Sequence, residues 1–185
     1  MEKRSFTIKT FGCQMNVADS DFMSEKLNNA GYERCNDIHK AGTIVVNTCT
    51  VRQHAEERAL SFIGQLKQLK IKNKKLKIDG VIHCFTGSWE EAQEYLEMGF
   101  YLGFNGIIFK SIEGIDFKEN IKKTPLDKIL IETDCPYLAP PPFLNQRNEP
   151  LFVKYIAEKI AKIKDLGYEK ISEITTENAK KLFNL

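Results

Sequence analysis

The sequence predicts an α/β protein with a mostly parallel sheet of five or six strands flanked by helices. Two observations carry that prediction. Short β-branched or alternating runs recur between stretches of helical apolar spacing. Strands and helices that alternate in this way imply parallel strands joined by helical crossovers. The strand count fits an open doubly wound sheet better than a complete eight-stranded barrel, which takes typically about 250 residues; this chain has 185.

The elements follow in order. Ser5–Phe11 (SFTIKTF) alternates apolar and polar residues and ends at Gly12, a strand and its turn. Asp19 or Ser20 is placed to cap a helix running to about Ala30, with Gly31 ending it. Tyr32–Cys35 reads as a short strand and Thr43–Thr48 (TIVVNT) as a buried one. Arg52–Lys70 carries Ala55, Ala59, Phe62, Ile63, Leu66 and Leu69 at helical spacing. Leu76–Phe85 is the next strand, and Thr86-Gly87-Ser88 turns it into a helix over Trp89–Met98. Strands over Phe100–Phe104 and Ile107–Phe109, a helix near Phe117–Lys123 and a strand at Ile129–Thr133 follow. Cys135–Pro150 then holds five of the six prolines, a long irregular loop of the kind that more often carries function than filler. Helices over about Leu151–Leu166 and Ser172–Phe183 close the chain. The result is a flavodoxin-like or Rossmann-like sheet, or part of a βα-barrel.

Composition narrows the class. Hydrophobic residues are 42% and charged residues 28%, an ordinary globular balance that argues against disorder. No apolar run approaches the roughly 20 residues that span a bilayer. The opening MEKRSFTIKTFG has no apolar signal region, so a cytoplasmic protein is expected. Five widely spaced cysteines favour thiols or metal ligands over a disulfide framework. Residues 1–78 hold 14 Lys/Arg against 8 Asp/Glu, and residues 79–185 hold 13 against 17. The basic stretch Lys67–Lys77 supplies much of that asymmetry; it reads as a solvated helix end or as a nucleic-acid phosphate contact.

Cys13, Cys49 and Cys84 each follow a predicted strand, on the rim where ligands gather in parallel sheets. Three thiolates there would suit an iron–sulfur cluster or zinc, and three buried thiols would simply pack. TFGCQMNVADSD and VVNTCTVRQHAEERALSFIGQLKQLK resemble the amino-terminal domain of the MiaB-type tRNA methylthiotransferases over residues 5–78. The resemblance implies an auxiliary [4Fe-4S] cluster, with Cys13 and Cys49 at matching positions and Cys84 close to the third. The CxxxCxxC signature of that family's radical domain does not occur in this sequence.

GVIHCFTGSWEEAQEYLEMGFYLGFNGIIF, PLDKILIETDCPYLAPPPFLNQRNEP and TTENAKKLF resemble the carboxyl-terminal part of the TatD-type metal-dependent deoxyribonucleases over residues 80–185. That resemblance implies a divalent ion (zinc, manganese or magnesium) at strand ends, with His83 and Asp134 as ligands and Asp134 also orienting or deprotonating a water. Arg147 and Asn148 would meet a substrate phosphate. Without the metal reading, His83 is a hydrogen-bonded core histidine and Asp134 caps a turn. The family's HxH motif is absent, since only His39, His54 and His83 occur. The sequence therefore reads as a fusion of segments 1–78 and 79–185 in one domain, joined near Lys77–Gly80, without the full activity of either parent. The alternatives are a TatD-like DNA hydrolase that recruits Glu56 or His54, and a [4Fe-4S] module. Sheet edges left open by cutting a barrel would favour a homodimer.

Overall fold

Six strands form among the described residues, all in parallel ladders, but they divide between two three-stranded sheets. The computed structural model describes residues 4–48, 53–72 and 80–183 and separates into two compact units, Met1–Leu76 and Lys77–Leu185. The parallel α/β class is as the sequence predicts. The single sheet of five or six strands is corrected. A strand joins a sheet only through paired backbone groups, and β4 (Val81–Ile82) offers two residues, both laddered to β5 (Tyr101–Phe104).

In the first unit β1 (Ser5–Phe11) is central, with β2 (Glu33–Arg34) on one side and β3 (Thr43–Thr48) on the other. Its register with β3 runs from Phe6↔Thr43 to Phe11↔Thr48. Helix α1 (Gln14–Asn29) starts earlier than Asp19, because Cys13 serves as its cap. Asn16 turns back to accept the Cys13 N–H at 3.0 Å, a reciprocal box without the Ser or Thr that usually signals one. Asn47 of β3 ties the helix down, donating to Asn16 O at 2.9 Å and Ser20 Oγ at 3.0 Å. Helix α2 (Gln53–Lys72) completes the unit, burying Ala55, Ala59 and Leu66.

The second unit has β4, β5 and β6 (Ile129–Ile131) side by side in chain order. Helices α3 (Trp89–Glu97), α4 (Phe117–Lys123), α5 (Val153–Lys164) and α6 (Tyr168–Phe183) surround one apolar cluster. Leu102, Phe104, Ile121, Ile129, Ile156, Ile160 and Ile171 are at most 1% exposed within it. Ser88, the last residue of the predicted turn, and Glu91 form the cap of α3, each side chain bonding the other's N–H. The strand expected at Ile107–Phe109 is instead a 3₁₀ turn, Gly106–Phe109. Asn105 causes the difference, since its side chain accepts the Ile107 N–H at 2.9 Å and caps that turn. No helix among the described residues is long and apolar enough to cross a membrane.

Candidate metal centre

The carboxyl ends of β4 and β6 meet over the end of β5. His83 follows β4 directly, and Glu132 and Asp134 follow β6. The Glu132 N–H extends the ladder to Phe104 O at 2.9 Å, and the Phe85 N–H does so to Gly103 O at 2.9 Å. Gly103 lets the outer strands converge. A Cβ at this position would stand 2.8 Å from Glu132 Oε2, so only a residue without a side chain leaves room for that carboxylate.

Glu132 is held on two sides. Its Oε1 accepts the Cys84 N–H at 2.5 Å, and its Oε2 lies 2.7 Å from His83 Nδ1. Facing a carboxylate, Nδ1 carries a proton and donates it, which leaves Nε2 to bear the lone pair in the neutral ring. Nε2 stands 3.1 Å from Asp134 Oδ1. That oxygen is buried without a hydrogen-bond partner, so the contact has the distance of a bond but not its alignment.

Two acceptors face each other across this gap, and a cation resolves the conflict. A proton on Nε2 is one such cation. His83 is held above its usual value, chiefly by the hydrogen bond to Glu132, with the charges of Glu132 and Asp134 adding to it against the opposing effect of burial. A metal ion answers the same need. Bonds of about 2.0–2.2 Å at tetrahedral or octahedral angles separate two donors by roughly 2.8–3.6 Å, and 3.1 Å falls in that span. The ligand atoms offered by His83, Glu132 and Asp134 all lie within 4.8 Å of one another. One imidazole with carboxylates fits zinc, manganese or magnesium. The His83 side chain is 64% exposed and each carboxylate 20%, so the centre opens to water and substrate.

The backbone around the centre is unusual where it serves the centre. Cys84 has φ +50° and Asp134 φ +56°, left-handed conformations that cost about 1–3 kcal/mol each and persist where surroundings enforce them. At Asp134, Asn148 supplies that enforcement. It is 2% exposed, and its amide donates to Thr133 O at 2.7 Å and Tyr137 O at 2.6 Å. The Tyr137 N–H closes the turn on Asp134 O at 2.9 Å. Gly106 fits against the same loop, since a Cβ there would stand 1.7 Å from Leu138 O.

The structure thus brings His83 and Asp134 together and uses the Asn148 side chain inside the loop, with Arg147 exposed beside it. Burial above all pushes the Cys84 thiol up to about 11, which opposes the thiolate form that a cluster needs. Cys13 lies in the other unit, and Cys49 lies outside the described residues. His54 is 98% exposed and pairs with Glu57 at 3.4 Å. The side chain of Glu56 and the lysine side chains of Lys67–Lys77 lie outside the described ones. Sequence reasoning missed Glu132. The signal was present, because residues two apart on a strand share a face, and ETD places two carboxylates that way.

A histidine set between two carboxylates at the ends of parallel strands makes a candidate metal centre on an α/β scaffold. Comparison with known proteins agrees: the model of the TatD related DNase family matches residues 40–184. The chain belongs to that family. It is 52% identical over 109 residues, covering 58% of this chain and 42% of the relative, to the uncharacterized metal-dependent hydrolase YabD of Bacillus subtilis. It is 38% identical over 109 residues, 57% of this chain and 41% of the relative, to the 3'-5' ssDNA/RNA exonuclease TatD of Citrobacter rodentium. Among solved structures, the TatD homolog YJJV of Escherichia coli superposes with a TM-score of 0.60 at 18% identity, over 96% of this chain and 86% of that one. That likeness shows the fold. The chain therefore spans less than half the length of these two curated relatives. The family match begins at residue 40, inside the first unit. Neither the methylthiotransferase resemblance, the fusion nor an iron–sulfur cluster gains support from these matches.

Proposed function

We propose that this chain is a divalent-metal-dependent hydrolase of nucleic-acid phosphodiesters, with His83 and Asp134 as ligands and Glu132 as the residue that orients His83. One observation carries the reading: Nε2 of His83 faces the buried, unpartnered Oδ1 of Asp134 at 3.1 Å while Nδ1 is anchored on Glu132. Family membership supports it, as does the exonuclease name of a relative.

A bound ion would lower the pKa of a coordinated water and offset charge on a phosphodiester oxygen. The chain's own residues supply the rest. Glu132 holds His83 in the tautomer that presents a lone pair, the carboxylate–histidine arrangement common behind metal ligands. Asp134 keeps a second oxygen available to orient an attacking water and take its proton. Arg147, exposed on the loop that Asn148 pins, would meet a substrate phosphate through its planar fork.

Calorimetric titration of the metal-free chain with Mn²⁺, followed by cleavage of a labelled single-stranded oligonucleotide, tests this. Saturable Mn²⁺ binding and cleavage are expected, the cleavage abolished by EDTA and by Asp134→Asn. Mn²⁺ binding without cleavage would leave a metal-binding remnant and defeat the hydrolase reading. Cleavage that survives Asp134→Asn would belong to a contaminating nuclease.

A further inference from the structure

The first unit contains a cavity that the metal centre does not explain. It measures about 730 Å³, within the range of small-ligand sites. Its origin is the shortness of β2, which pairs only with Ser5 and Phe6 of β1. Beyond Ile8, β1 runs on through Lys9, Thr10 and Phe11 with its other edge on β3. Alternation then sorts the side chains. Thr10 bonds Ser20 of α1 on one face at 2.7 Å. On the other face Phe11 meets Phe62 of α2, ring centroids 5.8 Å apart, and the Arg58 guanidinium lies 5.5 Å over the Phe11 ring. Lys9 shares the face of Phe11, and Gln65 and Gln68 complete the polar part of the wall.

The charge of this wall is one-sided. Among the described residues Lys9 and Arg58 line it, and no carboxylate does. Of the neighbouring acids with described side chains, Asp37 stands 3.8 Å from Lys40 and Glu57 stands 3.4 Å from His54. Among the described residues no carboxylate pairs with Lys9 or Arg58. Two unpaired cations beside two phenyl rings and two amides recognise a particular chemistry. The rings stack a flat heteroaromatic, the amides read its polar edge, and the cations take a phosphate.

We propose that this cavity binds a nucleotide, with the base against Phe62 and the phosphate on Lys9 and Arg58. Its source is either a free mononucleotide or one unit of a single strand. No residue of the metal centre enters the argument, so the proposal stands or falls apart from the hydrolase reading.

The test uses the full chain in EDTA, which keeps metal-dependent cleavage out of the measurement. Fluorescence anisotropy follows a labelled ten-nucleotide oligo-dA, with unlabelled AMP as competitor. Saturable binding is expected, weakened roughly 5- to 100-fold by Phe62→Leu and by Arg58→Ala, with circular dichroism unchanged. Lys9→Ala is expected to lower the slope of log affinity against log salt by about one. Displacement by AMP at low millimolar concentration or below identifies the free nucleotide as sufficient. Displacement by unlabelled oligo-dA alone identifies the strand. Wild-type affinity in both Phe62→Leu and Arg58→Ala would overturn the proposal and place the strand elsewhere, as would failure of both ligands to bind.

Discussion

The two units solve the same local problem in different ways. Each takes three short parallel strands from alternating β and α segments, yet the spatial orders differ: β2-β1-β3 in the first and β4-β5-β6 in the second. In the first unit the chain returns past its starting strand, the arrangement of open doubly wound sheets. In the second it advances one strand at a time, as a barrel wall does. Their cores differ as well. Among the described residues the first unit buries Phe6, Ile8, Ala55, Ala59 and Leu66, whereas the second buries a continuous set of aliphatic and aromatic side chains from two strands and four helices. Functional positions follow from these differences. In the second unit the outer strands deliver His83, Glu132 and Asp134 over a glycine of the middle strand. In the first, a strand that stops early leaves a cavity beside its neighbour.

The largest effect that would sharpen this contrast lies in the cores. Phe104 is fully buried between the sheet and the helices, and Phe104→Ala is expected to destabilise the second unit by about 3–5 kcal/mol. Trp89, the one tryptophan of the sequence, sits on α3 and reports that unit alone. In urea, circular dichroism is expected to fall in two steps, with Trp89 fluorescence changing in the later one. A single coincident transition would break the contrast. A smaller effect is expected at the metal centre. Glu132→Gln keeps the volume but removes the charge behind His83, and is expected to weaken Mn²⁺ binding roughly tenfold or more. The same variant lowers the His83 pKa toward its ordinary value in an NMR titration, because its largest upward cause is the Glu132 hydrogen bond.

The smallest effect concerns pH, and its sign reverses with metal. His83 has a raised folded pKa. In the metal-free protein its charged contacts therefore contribute stability that is complete below about 6.5, the unfolded value, and is lost as pH rises through the folded one. Mn²⁺ competes with that proton. Its affinity is expected to fall about tenfold per pH unit below the folded pKa. Thermal melts and titrations between pH 5 and 8 would show opposite slopes for the metal-free and the loaded chain. Parallel slopes would mean that His83 is not a ligand.

Much of the fold was legible in the sequence because its cause is local. The β-branched run TIVVNT, the turn Thr86-Gly87-Ser88 before α3 and the apolar spacing of α2 act within a few residues of themselves. His83 and Asp134 were reached as well, through the motifs HCFTG and ETD that carry the TatD-type resemblance. Glu132 was harder to find, because its role depends on a partner 49 positions away and on the missing side chain of Gly103. The division into two sheets depends on which edge each strand takes. Side-chain periodicity carries no information about that choice.

By itself, then, the sequence determined the alternation of strands and helices and their parallel sense, and the family resemblance of its second half pointed to His83 and Asp134. Tertiary structure alone decided the strand order within each unit, the capture of His83 between two carboxylates and the cavity beside β1. The reason is physical. Local elements follow from the torsional and solvation preferences of neighbouring residues. A site forms from distant groups, and only packing fixes the distances between them.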